Sequence, residues 1–485
     1  MQKAIDGLEP YRLWEYFAEL SAIPRCSKHE ATVSWYIYET AKRLGLEANQ
    51  DSLGNVVVRK PAAAGRLQAP SIVLQCHLDM VCEKNRGTKH DFERDPIVLK
   101  RQGDYITADG TTLGADNGIG VAVCLALMAD AAVSHGPLEF LFTVDEETGL
   151  TGAAGLGRDF LTSRFLINLD SEDENVLCVG CAGGMDSRGE LPVVFDPLSA
   201  DHAIFLIRVS GLRGGHSGLD IHRGRANAIK LLVQALSRLD EFGVLLCSLE
   251  GGNKRNAIPR EAQAVIGIPA PNVDAVAKRV QEIDQIYKDE YASADSAVAL
   301  SLESLPSSEP AVLSIESQHT LLDLLHALPH GAIAMNRDIP DLVETSTNLA
   351  GVHMKERAVV IETSQRGMRE SEKESIVATV CTAFRRAGAT ITHGDGYAGW
   401  TPDPQSPLVN LSREIFRSTF GKEPGVKAIH AGLECGIIGE KFPGMDMISL
   451  GPDLRNPHSP DERVHTGSVE RFWNLIVKTL ETLSA

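Results

Sequence analysis

The sequence predicts an α/β protein with a central, mostly parallel sheet, interrupted by a separate α+β domain. Its 485 residues exceed what one ordinary hydrophobic core holds, so we expect two domains. Short β-branched apolar runs alternate with helical patterns in the first part of the chain. From about residue 186 this alternation stops. We therefore predict a discontinuous first domain at 1–186 and 392–485, with the inserted domain at 187–391.

The first elements are predicted from helical spacing and capping signals. Apolar residues at helical spacing over 10–20 predict a helix. Ser27 precedes Glu30 by three residues, the pattern of a capping box, so a second helix is expected from there to about Leu44. A short apolar run at 55–59 predicts a strand.

The stretch 71–80, SIVLQCHLDM, organises the rest of the chain. Its apolar start is typical of a strand buried on both faces of a parallel sheet. His77 and Asp79 follow two residues apart, so on an extended chain they point the same way. One could bind a metal while the other orients it. Taken alone, this pattern more often marks only a polar strand end.

Further acidic residues follow other predicted elements. Asp116 begins a long apolar helix, Glu146 and Glu147 follow a predicted strand at 137–144, and Asp170 follows one at 165–169. Sites in open α/β sheets form at the carboxyl ends of strands. Singly, each acidic residue could be a helix cap or a solvated turn. Their arrival at one edge of the sheet predicts a site.

The inserted domain carries strands and helices without such an edge. Its glycine-rich loop, 214–218, contains His216 and could be only a tight turn. A strand predicted at 446–450 is followed by Asn-Pro-His-Ser-Pro, which contains His458. We expect this last part of the chain to rejoin the first sheet.

Five side chains form the candidate ligand set: His77, Asp116, Glu147, Asp170 and His458. Two imidazoles and three carboxylates suit zinc, cobalt or manganese rather than calcium. Five donors suit two ions with one bridging carboxylate, about 3.5–4 Å apart, which could share a water or hydroxide. Glu146 adjoins a ligand but points elsewhere, so it could act as general base. This set predicts a metal-assisted hydrolase.

Composition excludes several other classes of function. The net charge of -18 argues against nucleic acid or an anionic membrane as partner. No apolar run approaches the ~18 residues of a membrane span, and no secretory signal is visible. The nine cysteines are expected to be reduced, mostly buried thiols in the cytoplasm. The less favoured alternative is zinc binding by the single C-x-x-C pair, Cys178 and Cys181.

Seven motifs together resemble one known family: HLDM, GADNG, DEE, NLDSE, GGHSG, HAGLECG and GPDLRNPHSPDE. They are similar to the co-catalytic zinc aminopeptidase, carboxypeptidase and dipeptidase family, nearly from end to end. The resemblance implies a zinc-peptidase-like catalytic domain with an α+β lid domain. It implies a dinuclear dipeptidase of broad specificity, acting on Xaa-His dipeptides among others, with two divalent ions per chain, zinc first and cobalt or manganese as alternatives. A homodimer is expected.

The same resemblance assigns roles to individual residues. It implies His77 and Asp170 on one metal, Glu147 and His458 on the other, and Asp116 between them. It implies that Asp79 orients His77 and that Glu146 is the base.

Substrate contacts are implied for four further residues. His216 would bind substrate or the oxyanion, within its own chain or across a dimer. Asn256 lies in a polar turn where the family contacts substrate. Arg366 resembles the arginine that binds the peptide carboxylate, although Arg369 could serve instead. Glu434 resembles a substrate-side acidic residue, with helix capping as its alternative.

Two rival functions remain at this point. An amidohydrolase acting on N-acyl amino acids would need the same metals and base. A binding protein that kept the fold and lost catalysis would lack a ligand or the base, and none is missing here.

Overall fold

The computed structural model describes residues 2–306, 311–337 and 339–485. The strands are β1 (Glu47–Gln50), β2 (Val56–Lys60), β3 (Ile72–His77), β4 (Leu99–Gln102), β5 (Tyr105–Ala108), β6 (Leu138–Thr143), β7 (Phe165–Asn168), β8 (Val176–Cys181), β9 (Gly183–Pro192), β10 (Phe195–Pro197), β11 (His202–Ser210), β12 (Gly215–His216), β13 (Leu245–Gly251), β14 (Ala257–Ile258), β15 (Ala262–Pro269), β16 (Ala299–Ser304), β17 (Ala311–Leu313), β18 (Gly331–Met335), β19 (Val343–Met354), β20 (Ala358–Gly367), β21 (Thr390–His393), β22 (Gly425–Ile429), β23 (Asp446–Ser449), β24 (Leu454–Arg455) and β25 (Arg463–His465). The α-helices are α1 (Gln2–Ile5), α2 (Tyr11–Ser21), α3 (Ala31–Arg43), α4 (Ala115–Ala129), α5 (Glu146–Gly149), α6 (Thr151–Gly155), α7 (Ala228–Leu239), α8 (Val273–Glu290), α9 (Ile315–Ala327), α10 (Glu370–Arg386), α11 (Pro407–Phe420), α12 (Glu434–Lys441) and α13 (Thr466–Leu483).

The chain divides into two compact units. Unit 1 comprises residues 1–180, 400–428 and 433–485. Unit 2 comprises residues 181–399 and 429–432.

Unit 1 is built on an eight-stranded sheet with the order β1-β2-β6-β3-β7-β23-β8-β22. The four middle strands, β6, β3, β7 and β23, run parallel to one another. Register pairs His77 with Thr143 and Gln75 with Asn168. The segments that follow these strands therefore leave the sheet at the same edge, and the predicted α/β class is confirmed. The sheet as a whole is mixed, because β1 and β2 on one side and β8 on the other pair antiparallel with their neighbours.

Burial explains the sequence of this sheet. All six residues of β3 and of β6 are buried, as expected for strands covered on both faces. Almost every side chain of α4 is buried as well, because this helix is apolar on all sides.

The predicted capping box at Ser27 and Glu30 is wrong. Helix α3 begins at Ala31 without a side-chain cap. Ser27 Oγ instead donates to Asp79 Oδ2 at 2.8 Å, and Glu30 Oε1 accepts the N–H of Asp145 at 2.9 Å. Both side chains thus form hydrogen bonds with segments that follow strands at the carboxyl edge of the sheet. These segments are distant in sequence from Ser27 and Glu30.

One cysteine pair also departs from the expectation of reduced thiols. Cys26 and Cys82 form a disulfide with a Cα–Cα distance of 5.7 Å. A parallel bridge between Cys26 and Met80 brings the two segments together. The other seven cysteines are buried.

Unit 2 contains a nine-stranded antiparallel sheet. Its order is β16-β11-β15-β13-β19-β20-β9-β21, with β18 paired to β19. Helices α7 to α10 pack their apolar side chains into one core with this sheet. Unit 2 therefore has the α+β architecture predicted for the insert.

Among the helices within the described ranges, none combines the length and apolarity that crossing a bilayer requires.

Candidate metal centre

The two carboxylate oxygens of Asp116 face two different imidazoles in unit 1. Oδ1 lies 3.1 Å from Nε2 of His77, and Oδ2 lies 3.2 Å from Nε2 of His458. A carboxylate in this position can bridge two cations, one on each side.

Each imidazole also faces a second carboxylate. His77 Nε2 lies 3.2 Å from Oδ1 of Asp170, and His458 Nε2 lies 3.0 Å from Oε2 of Glu147. The donor atoms of each trio, His77 with Asp116 and Asp170, and His458 with Asp116 and Glu147, lie within 4.8 Å of one another. The structure thus brings all five predicted ligand residues together as two donor groups that share Asp116.

The fold explains this convergence. His77 ends β3, Glu147 lies in the short helix after β6, and Asp170 follows β7. Asp116 lies in the first turn of α4. His458 lies in the short connection between β24 and β25, where its φ is 60°. Three of the five candidate ligand residues therefore come from the ends of neighbouring parallel strands.

Asp79 connects this centre to the surrounding backbone. Its Oδ1 lies 3.3 Å from Nδ1 of His77 and accepts the N–H of Glu146 at 3.0 Å. Its Oδ2 accepts the N–H of Glu147 at 3.1 Å and the hydroxyl of Ser27. Burial opposes its ionisation, but these bonds and His77 lower the pKa of Asp79 to about 2. The residue is an ionised anchor for His77 and for the segment that carries Glu146.

Sequence reasoning missed Arg25, which supports the same region. Its guanidinium is buried and donates to the carbonyl oxygens of Leu78 at 2.9 Å and Asp79 at 3.1 Å. It also donates to the carbonyl oxygen of Gly114, two residues before Asp116. No local pattern marks an arginine whose acceptors are backbone carbonyls more than 50 residues away.

The electrostatics of the five candidate ligand residues favour cations between them. Burial and the neighbouring Asp116 raise the pKa of Glu147 to about 7. Burial works against a charged His458, but Asp116 and Glu147 outweigh it and raise the pKa of His458 to about 11. Glu147 Oε1 is buried without a hydrogen-bond partner among the described residues. Crowded carboxylates, imidazole nitrogens facing them and an unsatisfied oxygen fit divalent metal ions.

Glu146 lies beside these residues. Its carboxylate, with His77 and Glu147, forms a third close group of donor atoms within 4.8 Å of one another. Burial, with Asp170 and Glu147 nearby, raises the pKa of Glu146 well above its ordinary value. Glu172, for which no role was predicted, is affected by the same carboxylates. Burial and the charges of Asp116 and Asp170 raise the pKa of Glu172 to about 8.

The sequence profile of Peptidase family M20/M25/M40 matches residues 73–482. The chain belongs to this family. That finding confirms the resemblance predicted from the seven motifs.

Similar proteins match over the whole chain. The cytosol non-specific dipeptidase of Escherichia coli (strain K12) is 42% identical over 482 residues, covering 99% of both chains. The crystal structure of aminoacylhistidine dipeptidase from Vibrio alginolyticus is 39% identical, with a TM-score of 0.87, and covers 99% of this chain and 98% of that one. The aminopeptidase PepT of Bacillus cereus ATCC 10987 shares the fold, with a TM-score of 0.57 at 17% identity over 99% of this chain and 100% of that one.

In this family member, Glu434 begins α12 but does not cap it, since its side chain faces the sheet. Oε2 accepts hydrogen bonds from Gln75 Nε2 at 2.6 Å and Thr143 Oγ1 at 2.7 Å. Burial raises the pKa of Glu434 to about 7. The capping alternative is therefore wrong, while a substrate contact stays a prediction.

Within unit 2, two backbone groups fix the tautomer of His216. Its Nδ1 accepts the N–H groups of Gly218 and Leu219, each at 3.1 Å. The ring proton of a neutral imidazole must then lie on Nε2, which makes that atom a donor. Asn256 is exposed, and its carbonyl oxygen accepts the N–H of Ser217, next to His216.

The two candidate arginines of unit 2 have different surroundings. Arg366 is 7% exposed and donates from Nη1 to Tyr397 Oη at 2.6 Å. Its Nε is buried with no hydrogen-bond partner within the described part of the chain. The Arg369 side chain is 57% exposed and lies 3.9 Å from Glu344. The buried, hydrogen-bonded guanidinium of Arg366 is held more firmly than that of Arg369. Arg366 is therefore the better candidate for binding a carboxylate.

His430 of the HAGLECG motif was not predicted as a site residue. It is buried, and Nε2 lies 2.7 Å from Ser346 Oγ. Burial, with Arg366 nearby, lowers the pKa of His430 to about 3. Its imidazole is therefore neutral at physiological pH.

Proposed function

We propose that this chain hydrolyses the peptide bond of dipeptides, Xaa-His dipeptides among them, with broad specificity and with two divalent metal ions. The observation that carries the proposal is the pair of donor groups sharing Asp116. The names of the two relatives that match over the whole chain support the substrate class.

His77 and Asp170 would hold one ion, His458 and Glu147 the other, and Asp116 both. Imidazole and carboxylate donors suit zinc, and cobalt or manganese could replace it. When bound, such ions polarise a carbonyl group and lower the pKa of water.

Glu146 supplies the proton transfers in this proposal. Its main chain is held through the Asp79 bond to its N–H, while its carboxylate makes a close group with His77 and Glu147. It would take a proton from the attacking water and pass it to the nitrogen of the leaving amine. Asp79 contributes by orienting His77 and does not touch the substrate.

For unit 2 we propose substrate-binding roles for His216, Asn256 and Arg366. The Nε2 proton of His216 suits an oxyanion or a carbonyl oxygen as acceptor. The planar guanidinium of Arg366 suits the terminal carboxylate of a dipeptide. In unit 1, Glu434 is proposed to act on the substrate side.

The experiment compares three substrates after metal removal and after zinc is restored: a free dipeptide, its C-terminal amide and an N-acetyl amino acid. We expect zinc-dependent turnover of the dipeptide and a raised KM, or no turnover, for the amide. Preferred turnover of the N-acetyl amino acid would instead support an amidohydrolase. Turnover of the dipeptide by metal-free protein would contradict the proposal.

Two arginine variants test carboxylate recognition. Arg366→Gln should raise KM for the dipeptide and remove its advantage over the amide, because the buried guanidinium is lost. Arg369→Gln is the matched control and should change little, since that side chain is mostly exposed. The reverse result would assign the carboxylate to Arg369.

We further propose a cytoplasmic homodimer. The Escherichia coli relative is named a cytosol dipeptidase, and this name supports the cytoplasmic location. Light scattering of the purified chain tests the oligomeric state, and a monomeric mass would contradict it.

A further inference from the structure

Glu462 is a buried acidic residue that belongs to neither donor group. It is 2% exposed and lies four residues after His458, in the connection between β24 and β25. Both of its carboxylate oxygens accept backbone N–H groups from the start of α4. The bonds to Oε2 come from Leu113 at 2.7 Å and Gly114 at 3.0 Å, and those to Oε1 from Ala115 at 2.8 Å and Asp116 at 3.3 Å.

These four bonds hold the backbone of Asp116 in place. The first N–H groups of a helix have no partner inside the helix, and its positive end attracts an anion. Glu462 satisfies the donors at the start of α4 with one side chain. Asp116 itself has non-helical backbone angles, φ -79° and ψ 112°, so the helix alone does not define its position.

The backbone of Glu462 is tied in turn to the His458 segment. Its N–H donates to the carbonyl oxygen of Ser459 at 3.0 Å, which closes the turn directly after His458. Its carbonyl oxygen accepts the hydroxyl of Thr107 at 2.8 Å, and β25 pairs with β5 from Arg463 onward. Glu462 is therefore fixed relative to both His458 and Asp116.

We propose that Glu462 is a positioning residue of the metal centre, which keeps the Asp116 carboxylate and the His458 imidazole 3.2 Å apart. This inference rests on the proposed function, in which both residues are metal ligands. Through Asp116, the residue shared by the two donor groups, Glu462 controls the affinity for both ions.

A second buried glutamate provides a matched control. Glu139 is 3% exposed in the same unit and accepts the backbone N–H groups of Thr162 and Ser163, both at 2.9 Å. It also pairs with Arg59 at 3.2 Å. None of its partners belongs to the metal centre, so its loss should cost stability only.

Glutamine cannot replace either carboxylate, because its NH2 group would face N–H donors in both amide orientations. Zinc is titrated by calorimetry into chelator-treated parent, Glu462→Gln and Glu139→Gln proteins. We expect zinc affinity to fall by about 10- to 100-fold in Glu462→Gln, the range for partners that orient metal ligands, and to stay within about twofold in Glu139→Gln. Glu462→Asp, which keeps the charge, should lie between Glu462→Gln and the parent.

Two outcomes overturn the inference. Parental zinc affinity in Glu462→Gln would show that the residue does not position the ligands. An equal loss in Glu139→Gln would show that the effect is general destabilisation. If Glu462→Gln does not fold, Glu462→Asp and Glu139→Asp are compared by the same criteria. Failure of the parent itself to bind zinc would instead contradict the proposed function.

Discussion

Oδ1 of Asp79 lies 3.3 Å from Nδ1 of His77, the ring nitrogen opposite to the one that faces Asp116 and Asp170. Because Nδ1 faces Asp79, only Nε2 is left to face Asp116 and Asp170, at 3.1 and 3.2 Å. A carboxylate in this position fixes the tautomer of a metal-binding histidine and raises its basicity.

Asp79→Asn should therefore weaken zinc binding by about 10- to 100-fold. The amide keeps the size of the side chain but removes its charge, and in either orientation its NH2 group opposes the N–H of Glu146 or that of Glu147. Zinc titration of the chelator-treated protein measures the effect. Ser27→Ala, which removes one bond to Asp79, should have a smaller effect. Parental affinity in Asp79→Asn would show that Asp79 does not orient His77.

Glu146→Gln and Glu147→Gln should separate base from ligand. In Glu146→Gln, kcat should fall by at least ~10² while KM and two metals per chain persist, since general acid–base assistance is lost. Glu147→Gln should lose metal occupancy along with rate. Kinetics and metal analysis on the same samples decide the case. Loss of metal from Glu146→Gln, or a parental kcat, would mean that the two roles are wrongly assigned.

His216→Ala should lower kcat by ~10²–10³, the cost of one oxyanion donor, without changing metal content. His216→Phe also removes the hydrogen-bond donor but fills the space of the imidazole, so its kcat should fall as much as that of His216→Ala. A variant within twofold of the parent would refute the role. Mixing His216→Ala with Glu146→Gln subunits tests whether His216 acts across a dimer: recovered activity in the mixture requires action between subunits.

His330 should make the stability of unit 2 depend on pH. Its Nδ1 faces the amide of Asn227 at 3.3 Å, and burial together with Lys230 lowers the pKa of His330 to about 4. The folded state thus favours the neutral imidazole. Its contribution to stability is complete above the unfolded pKa of about 6.5 and is lost as the pH falls toward about 4.

Urea unfolding in the presence of a chelator, at pH 7.5 and pH 4.5, measures this contribution. His330→Gln cannot gain a proton, so its unfolding midpoint should fall less between the two pH values than that of the parent. An equal fall in both proteins would contradict the assignment to His330.

Much of the centre could be predicted because it follows strand ends. His77, Asp170 and the Glu146–Glu147 pair each come directly after a recognisable apolar run, and the carboxyl ends of parallel strands share one edge. His458 could be proposed because Asn-Pro-His-Ser-Pro follows the predicted strand at 446–450, although the connection that carries it gives no periodic signal.

The supporting residues could not be predicted in the same way. Ser27 looked like half of a capping box, yet its hydroxyl bonds to Asp79, 52 residues away. Glu462 bonds to Asp116 across 346 residues, and Arg25 to Gly114 across 89. Such contacts depend on tertiary packing, which overrides the local preference of a side chain for a helix cap or a turn. The strand order of unit 2, with β9 between β20 and β21, has the same origin.

The number of metal ions per active chain tests the dinuclear centre most directly. Chelator-treated protein is dialysed against increasing zinc, and bound zinc and dipeptide turnover are measured in the same samples. We expect turnover to reach its maximum as two zinc ions bind per chain, and Asp116→Ala, which removes the shared carboxylate, to lose both binding and turnover. Full turnover without metal, or two zinc ions bound by Asp116→Ala with parental affinity, would contradict a centre built on Asp116.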